Sequence, residues 1–115
     1  GKTALCGFSQ GGLSAVLTAL KYREKLAAVV GLSAVAVTFD EAVFSPADIV
    51  SRPPVTLIHG DADDVVPPAV FERNAEALRL AGQTVDTHVV AGLTHGIDAT
   101  ALRYLCDALQ RGFAD

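Results

Sequence analysis

The Gly-x-Ser-x-Gly pentapeptide at residues 7–11 constrains the fold of this chain more than any other feature. An apolar run at residues 3–8 leads into it, and an amphipathic run with helical spacing follows at residues 13–20. A turn this short between strand and helix strains the serine backbone, and side chains at the flanking glycines would clash. The Ser9 hydroxyl is then exposed beside helix N–H groups, so Ser9 is a candidate nucleophile. By itself, the pentapeptide fits a purely structural turn equally well.

An acidic turn downstream offers the carboxylate that a serine nucleophile needs to orient its histidine base. The apolar run at residues 55–58 predicts a buried strand, and the turn follows it directly. It contains Asp61, Asp63 and Asp64. Carboxylates this close repel one another, and one buried against an imidazole gains most from its positive charge. The residues alone leave the choice among the three aspartates open.

A histidine loop near the end of the chain offers the general base. Residues 84–90 alternate as a strand does, and they lead into a loop in which His95 lies between glycines ahead of the last predicted helix. We therefore assign His95 as the general base. We expect His59 to be a turn residue and His88, on the alternating strand, to be structural.

The order Ser, Asp, His along the chain is the order of α/β hydrolases, and it differs from the other common serine triads. Residues 7–12, 59–67 and 92–96 resemble the phospholipase/carboxylesterase family of these enzymes, which includes acyl-protein thioesterases. The resemblance extends along the whole chain. It implies that the acid is Asp63, the second aspartate of the His-Gly-Asp-x-Asp motif. It also implies ester or thioester hydrolysis through an acyl-serine, with the Gln10 backbone N–H as an oxyanion donor.

Strand and helix patterns alternate along the chain, which is typical of an α/β fold with a parallel sheet. The predicted strands are residues 3–8, 27–32, 55–59 and 84–90, and the predicted helices are residues 10–22, 68–81 and 98–111. Apolar stripes mark the helix faces expected in the core, namely Leu13, Val16, Leu17 and Leu20, then Phe71, Ala75 and Leu78, then Leu102, Leu105, Cys106 and Leu109. We predict one partial domain over residues 1–115, a parallel sheet of about four strands with flanking helices, matching the C-terminal half of an α/β-hydrolase fold.

The irregular segment at residues 33–54 is a candidate wall for an acyl chain. It carries apolar side chains, including Phe39 and Phe44, among polar residues. Loops at the carboxyl ends of parallel strands form the usual ligand crevice, so we expect Phe39 and Phe44 to contact substrate. A loop that packs only on its own domain is an equal alternative.

Composition argues against several other classes of protein. The net charge is −4 and the basic residues are scattered, so no basic stripe could follow a nucleic acid. The apolar stretches fall short of the roughly 20 residues that a membrane span needs. The aspartate turn lacks the glycine and late glutamate of a calcium loop, and we predict no metal or cofactor. Cys6 and Cys106 are expected to be buried thiols, and without a disulfide framework the cytoplasm is the default location.

The resemblance covers only the C-terminal half of the family fold. Without the preceding strands, residues 3–8 would form an exposed apolar sheet edge, which is a pairing hazard. We expect this edge to bind a separate N-terminal polypeptide or a second copy in a homodimer. A second oxyanion donor would lie in the missing half, so the isolated chain should be a poor catalyst. The alternatives are a non-catalytic half-hydrolase that serves as an assembly unit and a peptidase of the same fold.

Overall fold

The computed structural model describes residues 3–24, 26–35 and 49–114. These residues form strands and helices in alternation, which are β1 (Ala4–Phe8), α1 (Gln10–Lys21), β2 (Ala28–Leu32), β3 (Val55–Gly60), α2 (Pro68–Leu80), β4 (Val85–Val90) and α3 (Ala99–Ala114). Asp98 caps α3 by accepting a hydrogen bond from the Ala101 N–H at 2.8 Å, and Pro68 begins α2. The predicted elements are confirmed to within about one residue, except that α3 continues three residues beyond position 111.

The strands form one parallel sheet in the order β1-β2-β3-β4. Cys6 pairs with Val30 across the first ladder, Val30 with Thr56 across the second, and Thr56 with Asp86 across the third. Neighbouring strands in sequence are therefore neighbours in space, and each helical connection crosses back over the sheet. The carboxyl ends of all four strands meet at one edge. The predicted fold class, a parallel α/β sheet with flanking helices, is confirmed.

Two apolar clusters cover the two faces of the sheet. On one face, α1 and α2 bury Leu20 and Leu78 against Val29 and Leu57 of the central strands. On the other face, α3 packs over three strand residues, Val30, Ile58 and Val90. Successive residues of β2 and β3 point to opposite faces, and every residue of both central strands is buried. The sheet thus holds its strand ends in a fixed arrangement.

The predicted apolar stripe on α3 is wrong in part. Leu102 is 49% exposed, and the buried residues of this helix are Ala101 and Ala108. The helix approaches the start of β2 so closely that a Cβ on Gly112 would collide with the Ala27 carbonyl. At this separation small residues must face the sheet, and Leu105 packs only partly against the cluster. Helical spacing correctly showed that α3 carries an apolar stripe. The close approach of α3 to β2, however, buries the neighbouring face of the helix, which carries the alanines.

The expectation that both cysteines are buried is also wrong. Cys6 and Cys106 are both exposed free thiols. Cys6 lies on β1, which pairs with β2 on one side and has no strand on its other side among the described residues. Its side chain points away from the face covered by α1, because the adjacent residue Leu5 packs against the α1 cluster and successive strand residues point to opposite faces. Cys106 lies on the outer side of α3, away from the alanines that contact the sheet.

The candidate wall at residues 33–54 is described only at its two ends. Phe39 and Phe44 lie outside the described residues, and their contact with substrate stays a prediction. Within the described ranges, no helix is long and apolar enough to cross a lipid bilayer.

Candidate active site

Ser9 lies in the turn between β1 and α1, at the carboxyl edge of the sheet. Its φ of 58° and ψ of −118° are the strained backbone that the pentapeptide predicts. The Ser9 side chain makes no capping hydrogen bond to the helix that it precedes, and its N–H donates to the Leu32 carbonyl at 2.9 Å. The turn is therefore fixed through its backbone, while the hydroxyl is available to another partner.

Two glycines, Gly7 and Gly12, make room for this turn, whereas the prediction named Gly7 and Gly11. A Cβ on Gly7 would collide with the Gly11 carbonyl, so the clash expected at Gly7 is confirmed. A Cβ on Gly11 would meet nothing within 4 Å, so the expected clash there is wrong. Gly12 is the second crowded position, because its Cβ would come within 3.0 Å of the Ala34 Cβ. The segment after β2 thus packs directly on the first turn of α1.

Asp63 is the aspartate that the fold buries at this edge, with 4% of its surface exposed. Its Oδ1 accepts hydrogen bonds from the N–H groups of Val65 and Val66, at 3.0 Å and 2.8 Å. Its Oδ2 lies 2.8 Å from Nδ1 of His95. Burial alone would raise the pKa of Asp63, but the hydrogen bonds from His95, Val66 and Val65 outweigh it and hold the pKa below its ordinary value. Asp63 is therefore ionised at neutral pH.

His95 bridges the aspartate and the serine. Its Nδ1 faces Asp63 Oδ2 at 2.8 Å, and its Nε2 lies 3.0 Å from Ser9 Oγ. Since an ionised carboxylate only accepts, Nδ1 carries the proton and donates it to Asp63. Nε2 is then the acceptor for the Ser9 hydroxyl. The ring also contacts the Phe8 ring, with centroids 4.8 Å apart, and its side chain is only 16% exposed. The structure thus brings the predicted Ser9, Asp63 and His95 together.

The loops that carry Asp63 and His95 are tied to each other. Asp61 Oδ1 accepts a hydrogen bond from the Gly92 N–H at 2.7 Å, and the Ala62 N–H donates to the Leu93 carbonyl at 3.1 Å. Asp61, one of the alternatives to Asp63, thus bonds to the histidine loop but not to the His95 ring. Asp64, the other alternative, is exposed. This cross-bonding keeps the separation between carboxylate and imidazole fixed.

His59 was expected to be a turn residue, and this expectation is wrong. It lies inside β3 with 2% of its surface exposed, and its ring contacts the Phe71 ring. Its Nε2 donates to the Val66 carbonyl at 2.7 Å and lies 3.4 Å from Asp63 Oδ2. His59 therefore supports the loop that holds the carboxylate. The signal was its position directly after the apolar run at residues 55–58, because a central parallel strand is buried to its end.

The remaining candidates have simpler positions. Gln10 is the first residue of α1, where backbone N–H groups have no acceptor within the helix. His88, on β4, stacks on Tyr104 of α3 with centroids 4.2 Å apart and planes 10° apart, which fits a structural role. The described parts of the chain contain no group of three or more His, Cys, Asp or Glu side chains that could hold a metal ion.

Comparison with known proteins gives a consistent result along the chain. A family model described as Phospholipase/Carboxylesterase matches residues 1–111. Acyl-protein thioesterase 1 of Gibberella zeae is 34% identical over 97 residues, which cover 82% of this chain and 41% of that protein. Acyl-protein thioesterase 1 of Emericella nidulans is 31% identical over 113 residues, covering 96% of this chain and 47% of that protein.

A solved structure, that of esterase PE8, superposes with a TM-score of 0.83 at 37% identity. The superposition covers 94% of this chain and 49% of that one. The chain thus spans less than half the length of these three proteins.

Proposed function

The chain belongs to the phospholipase/carboxylesterase family of α/β hydrolases, and from that premise we propose that it is the C-terminal catalytic part of a serine carboxylesterase or thioesterase. Ser9 is the nucleophile, His95 the general base and Asp63 the acid that orients it. The observation that carries the proposal is the continuous hydrogen-bonded path from Ser9 Oγ through the imidazole to a buried carboxylate. The substrate is a small acyl ester or thioester.

The reaction begins with proton transfer from the Ser9 hydroxyl to Nε2 of His95, across the 3.0 Å contact. The serine oxygen attacks the acyl carbon, and the carbonyl oxygen becomes an oxyanion. Nε2 then gives its proton to the leaving alcohol or thiol, the bond to that group breaks, and acyl-Ser9 remains. A water, deprotonated by the same nitrogen, then attacks the acyl carbon of acyl-Ser9. The bond from that carbon to Ser9 Oγ breaks, Nε2 returns its proton to Oγ, and the acid is released. None of these steps requires a metal or an organic cofactor.

Asp63 acts on the charge that His95 gains in both steps. Because its Oδ1 is already held by two backbone N–H groups, its Oδ2 has a fixed direction toward Nδ1. The carboxylate keeps the proton on Nδ1 and stabilises the imidazolium. An exposed carboxylate such as Asp64 would be screened by water and less able to do this.

The oxyanion requires two donors, and the described residues offer the backbone N–H of Gln10 as one of them. In this fold the other donor comes from a loop after an earlier strand. The loss of one donor typically costs about 10²- to 10³-fold in turnover. We therefore propose that the isolated chain is a weak catalyst and that an N-terminal half of the fold raises its rate.

The side of β1 that faces away from β2 is the proposed contact with that half. Along this strand Cys6 is exposed and Phe8 is 37% exposed. On the α1 side of the same strand, an apolar groove of about 220 Å³ is lined by Thr3, Leu5, Thr18, Tyr22 and Leu26. A strand added here would satisfy the backbone groups and fill the groove. It comes from an N-terminal half of the fold or from a second copy of the chain, and sedimentation with and without the half distinguishes the two.

Labelling with a fluorophosphonate, followed by peptide mapping, tests the proposed nucleophile. We expect modification at Ser9, its loss in Ser9→Ala, and no change in Ser14→Ala. Ser14 is the matched control, because it is an exposed serine of α1, the helix that follows Ser9. Modification at another residue, or none with the N-terminal half present, would refute the assignment.

A second candidate function is a non-catalytic half-hydrolase that serves as an assembly unit. The observation that favours it is the side of β1 away from β2, where the described residues place no strand and an assembly contact could form. Ester turnover measured before and after adding the N-terminal half separates the two, because only the enzyme gains rate. A peptidase of the same fold would use the same side chains, and parallel turnover of ester and peptide substrates tests it. The cytoplasmic location stays a prediction from the sequence.

A further inference from the structure

The segment after β2 is strained and is tied to the turn at Ser9. Ser33 has a φ of 50° and is 1% exposed, and its N–H donates to a carbonyl of β3 at 2.8 Å. Ala34 packs on the first turn of α1, where a Cβ on Gly12 would come within 3.0 Å of its methyl group. The N–H of Val35 donates to the Ser9 carbonyl at 3.3 Å. A non-glycine residue in this region of backbone space persists only while surrounding contacts hold it.

The Ser9 carbonyl belongs to the peptide group whose N–H is the proposed oxyanion donor, that of Gln10. It accepts hydrogen bonds from the N–H groups of Gly12, Leu13 and Val35, at 3.1, 3.3 and 3.3 Å. In a planar trans peptide the N–H points away from the C=O, so bonds to the carbonyl set the direction of the N–H. They also polarise the peptide and strengthen its donor.

Asn74 of α2 donates hydrogen bonds to the segment whose Val35 N–H binds the Ser9 carbonyl. It is 3% exposed, and its Nδ2 donates to the carbonyls of Val35 at 3.1 Å and Ala34 at 3.4 Å. The Ala34 carbonyl and the Val35 N–H are two ends of one peptide group. The path therefore runs from the Asn74 amide through the Ala34–Val35 peptide to the Ser9–Gln10 peptide. Asn74 lies on a different helix from the nucleophile, and sequence reasoning gave it no role.

We infer that Asn74 is a positioning residue for the oxyanion donor, acting through two peptide groups on the direction and strength of the Gln10 N–H. This inference rests on the proposed function, because it assumes that Ser9 attacks and that Gln10 stabilises the resulting charge. It assigns to α2 a role in catalysis besides its packing on the sheet. When Ser9 attacks a fluorophosphonate, the phosphonyl oxygen gains negative charge at the position of the oxyanion. The labelling rate therefore reports on the Gln10 N–H.

The test measures the labelling rate and the labelling end point of the 115-residue chain, alone and with the N-terminal half, for Asn74→Ala and Ala75→Gly. Ala75 is the matched control, because it is a buried neighbour on α2 with 3% exposure, and its replacement also weakens the fold. Loss of folded protein lowers the end point, whereas loss of positioning lowers the rate. For Asn74→Ala we expect about a tenfold lower rate at an unchanged end point, as for one weakened hydrogen bond. For Ala75→Gly we expect a rate within about twofold of the parent chain.

Amide hydrogen exchange provides a readout that does not depend on activity. In Asn74→Ala the Val35 amide should exchange faster and the Gln10 amide resonance should shift, and in Ala75→Gly neither should change. Val35→Pro removes the connecting N–H without altering α2, and in that background Asn74→Ala should have little further effect on the rate. If Asn74→Ala fails to fold, Val35→Pro alone must show the lower rate.

An unchanged rate in Asn74→Ala, or a lower rate with the Val35 amide still protected, would overturn the inference. A parent chain that is not labelled at Ser9 would overturn the proposed function, while the amide measurements would still report on the path from Asn74. The two failures are therefore distinguishable.

Discussion

Replacing Asp63 with Asn preserves the shape of the side chain and reverses the direction of one hydrogen bond. In the parent chain Oδ1 accepts from the N–H groups of Val65 and Val66, and Oδ2 accepts from Nδ1 of His95. An asparagine must place its oxygen toward the two backbone donors, because its NH₂ group there would face two N–H groups. The NH₂ group is then directed at Nδ1, which must become an acceptor.

The consequence falls on the other nitrogen of the ring. With Nδ1 unprotonated, a neutral His95 carries its proton on Nε2, 3.0 Å from Ser9 Oγ, where it cannot accept the serine proton. In serine proteases the corresponding exchange lowers turnover by about 10⁴-fold, largely for this reason. We expect the same order of magnitude here, because the two backbone N–H groups leave the asparagine one favourable orientation.

The assay is the rate of fluorophosphonate labelling at Ser9, with and without the N-terminal half, and thermal unfolding verifies that each variant is folded. Asp64→Asn is the control, because it removes an exposed carboxylate from the same turn, and its rate should stay within about twofold. A loss of less than tenfold in Asp63→Asn, or a larger loss in Asp64→Asn, would refute this account of the site.

Three further predictions concern stability, and thermal unfolding measures each. Gly11→Ala should stabilise the chain by about 0.5–1 kcal/mol, because the position is helical and open. Gly7→Ala should destabilise it strongly, because the new Cβ would collide with the Gly11 carbonyl. Equal effects of the two substitutions on the melting temperature would contradict this description of the turn. Because the pKa of Asp63 is lowered below 3.8, its ionised form stabilises the folded state above that pH, and this stability is lost as the pH falls through the lowered pKa. The melting temperature of the parent chain should therefore fall more steeply below about pH 4 than that of Asp63→Asn, and parallel curves would oppose this. Ala108→Leu should lower the free energy of unfolding by about 1–3 kcal/mol through overpacking. Leu102→Ala, at a residue 49% exposed, should lower it by less than about 1 kcal/mol. The reverse order would show that the buried face of α3 is the stripe predicted from the sequence.

Much of the fold could be predicted because its signals are local. The strand at residues 55–58 is an unbroken apolar run, and the start of α3 is marked by Asp98, whose carboxylate accepts from the Ala101 N–H. Ser9 and His95 could be proposed because each lies in a glycine-containing loop after a predicted strand, and parallel strands bring such loops to one edge. The choice of Asp63 over Asp61 and Asp64 came only from family resemblance.

The mistaken expectations concern residues whose surroundings come from distant parts of the chain. His59 is buried because β3 is central in the sheet, and the apolar run at residues 55–58 indicated a buried strand without showing where its burial ends. Cys6 is exposed because β1 has a strand on one side only among the described residues. The buried face of α3 is set by its close approach to Ala27, which places Ala101 and Ala108 inward.

The sequence by itself determined the order of strands and helices, the strained turn at Ser9 and the kinds of side chain available at the strand ends. These follow from hydrogen bonding and steric limits within a few residues. Only the tertiary structure decided which carboxylate meets His95, which face of α3 is buried, and that Asn74 reaches the turn through Val35. Those outcomes depend on distances between segments many residues apart, and packing of the whole sheet sets those distances.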